Sequence, residues 1–102
     1  TIDLIDVLNP FGVACSFATI KAVIIENESA TAEIEVGDGT FVGWQGAAAN
    51  KDTVKAGGIM VHGCTGTGWT VTATSADEIK ITNTHGSLAA TVNVVIIGTA
   101  AA

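Results

Sequence analysis

Arginine is absent from these 102 residues, and four lysines stand against ten carboxylates, leaving a net charge of −6. A surface that grips DNA or RNA neutralises phosphates with Lys and Arg, so direct nucleic-acid binding is not expected. The same balance disfavours an anionic membrane surface. Charged residues of both signs make up 14% of the chain, about half the share usual for a soluble domain. No apolar run approaches the ~18 residues of a membrane span. The longest candidate, residues 92–97, is interrupted by Asn93 and has the length of a strand. The start at Thr1 is expected to reflect removal of an initiator Met or a leader.

Groups that make or break bonds are also sparse. His62 and His85 are the two imidazoles. His62-Gly-Cys64 offers two soft ligands without the Cys-x-x-Cys or His-x-x-x-His spacing of zinc sites, so His62 reads as a strand residue with Cys64 packed beneath it. His85-Gly86 reads as a turn. No serine sits in a Gly-x-Ser-x-Gly elbow, and Cys15 has no recognisable nucleophile setting. Glu33 and Glu35 share one strand face instead of facing each other across a cleft, so they line a solvated surface. Asp38 lacks the series of oxygen donors that calcium takes. The glycine-rich stretch 63–68 lacks the Lys-Ser/Thr ending of a phosphate loop. We therefore expect no enzyme, with no catalytic residue, no metal ligand and no cofactor.

Two cysteines, Cys15 and Cys64, are too few to define a framework. A bridge between them would close a long loop and stabilise an extracellular domain by a few kcal/mol. Left free, they act as small hydrophobes, and we favour that reading.

What the chain has in quantity is apolar and β-branched residues. Hydrophobic residues are 48% of it, and so much apolar surface on one small domain suggests burial against other subunits. Three C-terminal runs read as strands: Gly68-Trp-Thr-Val-Thr-Ala-Thr, Asp77-Glu-Ile-Lys-Ile-Thr-Asn and Ala89-Ala-Thr-Val-Asn-Val-Val-Ile-Ile-Gly. Residues 17–26 form a nearly continuous apolar run that suits a strand covered on both sides, with a helix over 14–22 as its alternative. With Thr31-Ala-Glu-Ile-Glu-Val it reads as a hairpin, Ala32, Ile34 and Val36 facing one way. Gly37-Asp-Gly marks a turn, residues 40–45 a short strand, and residues 47–52 an exposed loop. Gly57-Gly58 can bend a strand from one sheet to the other. Residues 1–13 read as an N-terminal arm, helical or strand-like, that Pro10 ends or redirects. Ala100 and the two alanines after it read as a loose terminus.

Turn signals about every ten residues point to an all-β fold. The expected architecture is an antiparallel two-sheet sandwich, Greek-key or jelly-roll, over residues 14–102, preceded by the arm. Trp69 shares its strand face with Val71 and Ala73 and is assigned to the core. Trp44, between Gly43 and Gly46, is the better candidate for a contact surface.

The order Ile20-Lys-Ala-Val-Ile-Ile-Glu-Asn, Ala32-Glu-Ile-Glu-Val-Gly, Val54-Lys-Ala-Gly-Gly-Ile, Gly68-Trp-Thr-Val-Thr-Ala, Ile79-Lys-Ile-Thr-Asn and Val94-Val-Ile-Ile-Gly-Thr resembles small virion structural proteins of tailed bacteriophages. The pattern covers most of the chain after residue 17; Cys15 and Cys64 depart from it. The resemblance implies a jelly-roll-like sandwich that forms homo-oligomers, with a trimer favoured, as a capsid decoration or fibre-base protein. Its partner would be the major capsid protein or another virion protein, and its place the virion. It supplies no active site. A particle surface offers repeated symmetric sites on which a small protein buries excess apolar area. Ile2, Leu4, Ile5, Leu8 and Trp44 are the expected interface residues, and removing residues 1–9 is expected to spare the fold and abolish assembly. Two rival readings stand beside this one. One is an extracellular glycan-binding module using Trp44, Gln45 and Asn50; the other is a self-polymerising filament or tube subunit whose terminal strand completes a neighbour's sheet.

Overall fold

The computed structural model describes residues 1–8 and 11–100, with the backbone alone at Leu8. The β-branched runs pair as eleven short strands among these residues. They are β1 (Ile2–Asp3), β2 (Val7–Leu8), β3 (Ala14–Cys15), β4 (Phe17–Asn27), β5 (Ile34–Val36), β6 (Asp52–Val54), β7 (Ile59–Gly63), β8 (Trp69–Thr70), β9 (Glu78–Ile79), β10 (Ile81–Asn83) and β11 (Val92–Ala100). The fold is all-β, and its antiparallel sheets pack as a sandwich. The larger sheet runs β11-β4-β7, with β8 also on β4, and the smaller one runs β10-β5-β6. Two short pairs, β1 with β9 and β2 with β3, complete the pairing.

The period of two along each strand decides which residues enter the core. From the larger sheet come Ile20, Val23, Ile25 and Met60; from the smaller come Ile34, Val36 and Val54. Leu4, Phe41 and Ile79 join them, and Leu4, Ile20, Val23, Ile25 and Ile34 have no exposed area at all. The core face of β4 shifts between Ile20 and Val23 because Ala22 pairs with Ile97 while Ile20 pairs with Gly98, so Lys21 is an extra residue on the β4 side.

One buried polar side chain sits at the junction of the sheets. Asn27 ends β4; its Nδ2 donates to the carbonyls of Ala32 (2.8 Å) and Val54 (3.2 Å), and its Oδ1 accepts the Ser29 N–H at 3.1 Å. These bonds tie the end of one sheet to the entry of β5 and the exit of β6 in the other. The chain then crosses back at Gly57-Gly58, as the sequence suggests: β6 belongs to the smaller sheet, β7 to the larger, and Gly57 takes φ +75° between them.

Several expectations are corrected here. β4 and β5 do not form a hairpin: β4 pairs with β11, β7 and β8, whereas β5 pairs with β10 and β6. The turn at Asn27 delivers the chain to the opposite sheet instead of folding it back. Residues 40–45 do not form a strand, because Gly43 at φ +51° begins a 3-10 turn over Gly43–Gln45. Ala100 is part of β11, paired with Phe17, and is not a loose end; residues 101 and 102 lie outside the described residues. The stretch expected as an arm, residues 1–13, pairs with the domain at two places. Ile2 and Asp3 pair with Ile79 and Glu78, and Val7 and Leu8 pair with Cys15 and Ala14. The expected break at Pro10 lies outside the described residues.

Candidate functional site

Two features stand out from the rest of the molecule: an aromatic cluster at one flank of the sandwich, and an uncovered apolar face on the larger sheet.

The cluster is built around Trp44, which the 3-10 turn carries to β7 and β8. Its indole stacks on the imidazole of His62, ring centroids 4.9 Å apart and planes 16° from parallel. Trp69 and Phe41 meet it edge-on at 5.8 and 6.1 Å. The indole N–H donates to Asp52 Oδ2 at 2.9 Å, and His62 Nε2 lies 3.4 Å from the same oxygen. Gln45 Nε2 donates to the Val36 carbonyl at 2.6 Å and Asn50 Nδ2 to the Gln45 carbonyl at 2.8 Å. One face of Trp44 lies on His62, its N–H is bonded, and the amide nitrogens of Gln45 and Asn50 bond to the chain itself. The arrangement closes the sandwich between β6 and β7.

The second feature follows from register. On the face of the larger sheet that points away from the core, Val95, Ile24 and Val61 lie side by side on β11, β4 and β7. Ile97, Ala22 and Gly63 form the next row, and Asn93, Glu26 and Ile59 the row before. Ile59 is 61% exposed, Val61 62%, Val95 50% and Ile97 54%. The run read in the sequence as a strand covered on both sides is therefore covered by its own chain on one side only.

Of the expected interface residues, Leu4 is corrected: it is 0% exposed in the core of its own chain and offers no area to a neighbour. Ile2 is half-buried against that core and Ile5 is likewise partly buried. The side chain of Leu8 lies outside the described residues. Trp44 is half-buried in the cluster. The residues that do form an apolar surface are Ile59, Val61, Val95 and Ile97, all exposed, around the partly buried Ile24; the apolar runs of β4 and β11 signalled Ile24, Val95 and Ile97, whereas nothing in the sequence singled out Ile59 and Val61 on β7.

The remaining chemistry-bearing residues take structural places. Cys15 and Cys64 are free and partly buried. Glu35 pairs loosely with Lys51, and Asp38, at φ +66°, with Lys80, both at 3.9 Å on the surface. His85 Nδ1 accepts the N–H groups of Ser87 and Leu88 at 3.1 and 3.0 Å and so shapes its turn. Asp77, 5% exposed, accepts the Thr74 N–H on Oδ2 at 2.8 Å and the Thr40 hydroxyl on Oδ1 at 3.3 Å. Among the described residues, no group of three or more His, Cys, Asp or Glu is placed to hold a metal ion, and no helix is long and apolar enough to cross a membrane. Compared with known proteins, the chain matches no family model, no curated protein and no solved structure.

Proposed function

We propose that this chain is a non-enzymatic structural subunit that works by packing against other proteins. Its kind would be that of the small decoration or fibre-base proteins of tailed-phage virions. The observation that carries the reading is the Val95-Ile24-Val61 row with Ile59 and Ile97 around it. Contiguous exposed side chains of this kind on an otherwise well-formed core are characteristic of a protein contact surface. Burying them stabilises an assembly at about 25 cal/mol per Å² of apolar area removed from water, before the entropy of association is subtracted. Scarce charge serves the same end, since few ions need be desolvated when copies crowd together. The resemblance in strand and turn order adds the virion setting, a capsid partner and the expectation of a closed homo-oligomer, a trimer or another ring.

The test is the solution mass by light scattering on a sizing column, followed by cosedimentation with capsids of the phage that encodes the chain. A discrete oligomer that sediments with the shell is expected, and Val61→Lys is expected to weaken shell binding at least tenfold. A monomer at every concentration, with no shell binding, would overturn the reading.

A further inference from the structure

Among the described residues, β11 is the longest strand that ends a sheet. The strand has nine residues and lies at the end of its sheet, paired on one side with β4. Backbone parity shows which of its groups are left over. Asn27 N–H donates to Gly58 O at 2.9 Å, towards β7, whereas Glu28 N–H donates to Thr91 O at 2.9 Å, towards β11. Bonds alternate along an antiparallel strand. Glu26, Ile24 and Ala22 therefore bond Asn93, Val95 and Ile97, and the N–H and C=O groups of Val92, Val94 and Ile96 point to the open edge. Natural edges are blunted by charge, proline, bulges or covering loops. Residues 92–97 contain neither charge nor proline, and the bulges fall after them, at Ile97/Gly98 and Thr99/Ala100.

A second observation lies against the same strand. A groove of about 290 Å³ runs between the two sheets; Val92 and Val94 of β11, Ile81 on β10, Ile2, Ile34 and Ala90 form its apolar wall, and Thr1 and Asn83 add polar groups to its lining. Its occupant must offer an unpaired strand edge together with branched apolar side chains at every second position. Contact between copies that each carry a net charge of −6 is least opposed where charge is absent, as it is along residues 92–97. β11 itself meets both requirements.

We infer that the free edge of β11 pairs with β11 of a second copy, antiparallel about a two-fold axis at Val94, joining the two larger sheets and closing both grooves. The inference rests on the assembly reading above and replaces the three-fold expectation with a two-fold contact. Val94 then faces its symmetry mate and Val92 faces Ile96 of the other copy, with about six new backbone hydrogen bonds. The inward side chains of both strands meet over the merged grooves. The pairing spans about 20 Å of strand. That places the contact at the small end of protein interfaces, so a dimer that dissociates on dilution through the micromolar range is expected.

Three variants and one measurement decide it. Val94→Pro removes an N–H from the open edge without touching a bond to β4, and it is expected to run as a folded monomer. Should it fail to fold, Val95→Lys serves instead: the side chain is half exposed, and the two introduced charges lie diagonally across the axis, weakening the dimer at least tenfold. Thr53→Lys, exposed on β6 of the smaller sheet and outside both the apolar row and the β11 edge, is expected to dimerise as the wild type does. Amide exchange of the wild type should protect the Val94 and Ile96 N–H groups in the dimer and lose that protection first on dilution. A trimeric mass overturns the two-fold edge contact and leaves the assembly reading standing. So does an oligomer that survives Val94→Pro and Val95→Lys, or one in which Val94 and Ile96 exchange freely. A wild type that stays monomeric overturns the edge contact, and it overturns the assembly reading as well only if it also fails to sediment with the shell.

Discussion

The indole of Trp44 lies flat on the imidazole of His62, and both side chains converge on Asp52 Oδ2. Three separate segments are held together at that oxygen: the 3-10 turn, β6 and β7. A partly buried indole N–H that loses its acceptor forfeits the net value of the bond and incurs part of its desolvation cost. Asp52→Ala should therefore lower stability by about 1.5 kcal/mol in urea titration and shift tryptophan emission to the red as water reaches the ring. Asp52→Asn keeps an acceptor oxygen and should lose less than half as much. Equal losses would show that the indole bond contributes little.

Leu4 anchors the N-terminal segment. It is fully buried, its N–H donates to the Asp77 carbonyl at 2.7 Å, and its carbonyl accepts the Phe17 N–H at 2.9 Å. Truncation to alanine leaves a cavity that the surrounding strands close only in part, so Leu4→Ala should cost about 3 kcal/mol by denaturant unfolding. Removing residues 1–9 takes away Leu4 and β1 together. The expected result is an unfolded or molten chain by near-UV circular dichroism, not a folded monomer that has lost its assembly.

Asn27 should be less replaceable than any apolar residue of similar size. Asn27→Leu leaves the Ala32 and Val54 carbonyls and the Ser29 N–H without their partner at a site with no exposed area. Desolvated groups left unpaired cost about 1–3 kcal/mol each, offset in part by the gain in apolar burial. A net loss of about 3 kcal/mol is expected in chemical denaturation. A neutral substitution would mean that water replaces the side chain.

These sites differ in how far the sequence revealed them. The β-branched run of β11, the turn at residues 37–39 and the crossing at Gly57-Gly58 are local signals, set by side-chain branching and glycine conformation, and they are visible in the chain as written. The partner of β4 is not. Asn93, Val95 and Ile97 lie about 70 residues from the positions they pair with, and nothing near Asn27 distinguishes a hairpin turn from a passage to the other sheet. The Trp44, Asp52 and His62 cluster was hidden for the same reason, since its members belong to three elements joined only by folding. Leu4 looked like part of an arm because a two-residue strand has no period to read. The two-sided apolar character of β4 was legible, but whether its second face was covered within the chain needed the register.

Gly57 and Gly68 separate conformational strain from close approach. Both have positive φ, +75° and +87°, a region where a side chain costs about 1 kcal/mol. At Gly57 an added Cβ meets no atom within 4 Å, whereas at Gly68 it runs into the Ile20 carbonyl. Gly68 sits where β8 begins to pair with β4 through Trp69 and Ile20. Gly57→Ala should therefore cost about 1 kcal/mol and leave the rest of the fold unchanged. Gly68→Ala must also push β8 away from β4, for a total of about 3 kcal/mol. Because Trp69 touches Trp44 edge-on, that displacement should appear as altered tryptophan fluorescence in the folded protein. Equal costs with unchanged fluorescence would mean that φ alone sets the penalty and that β8 has room to spare.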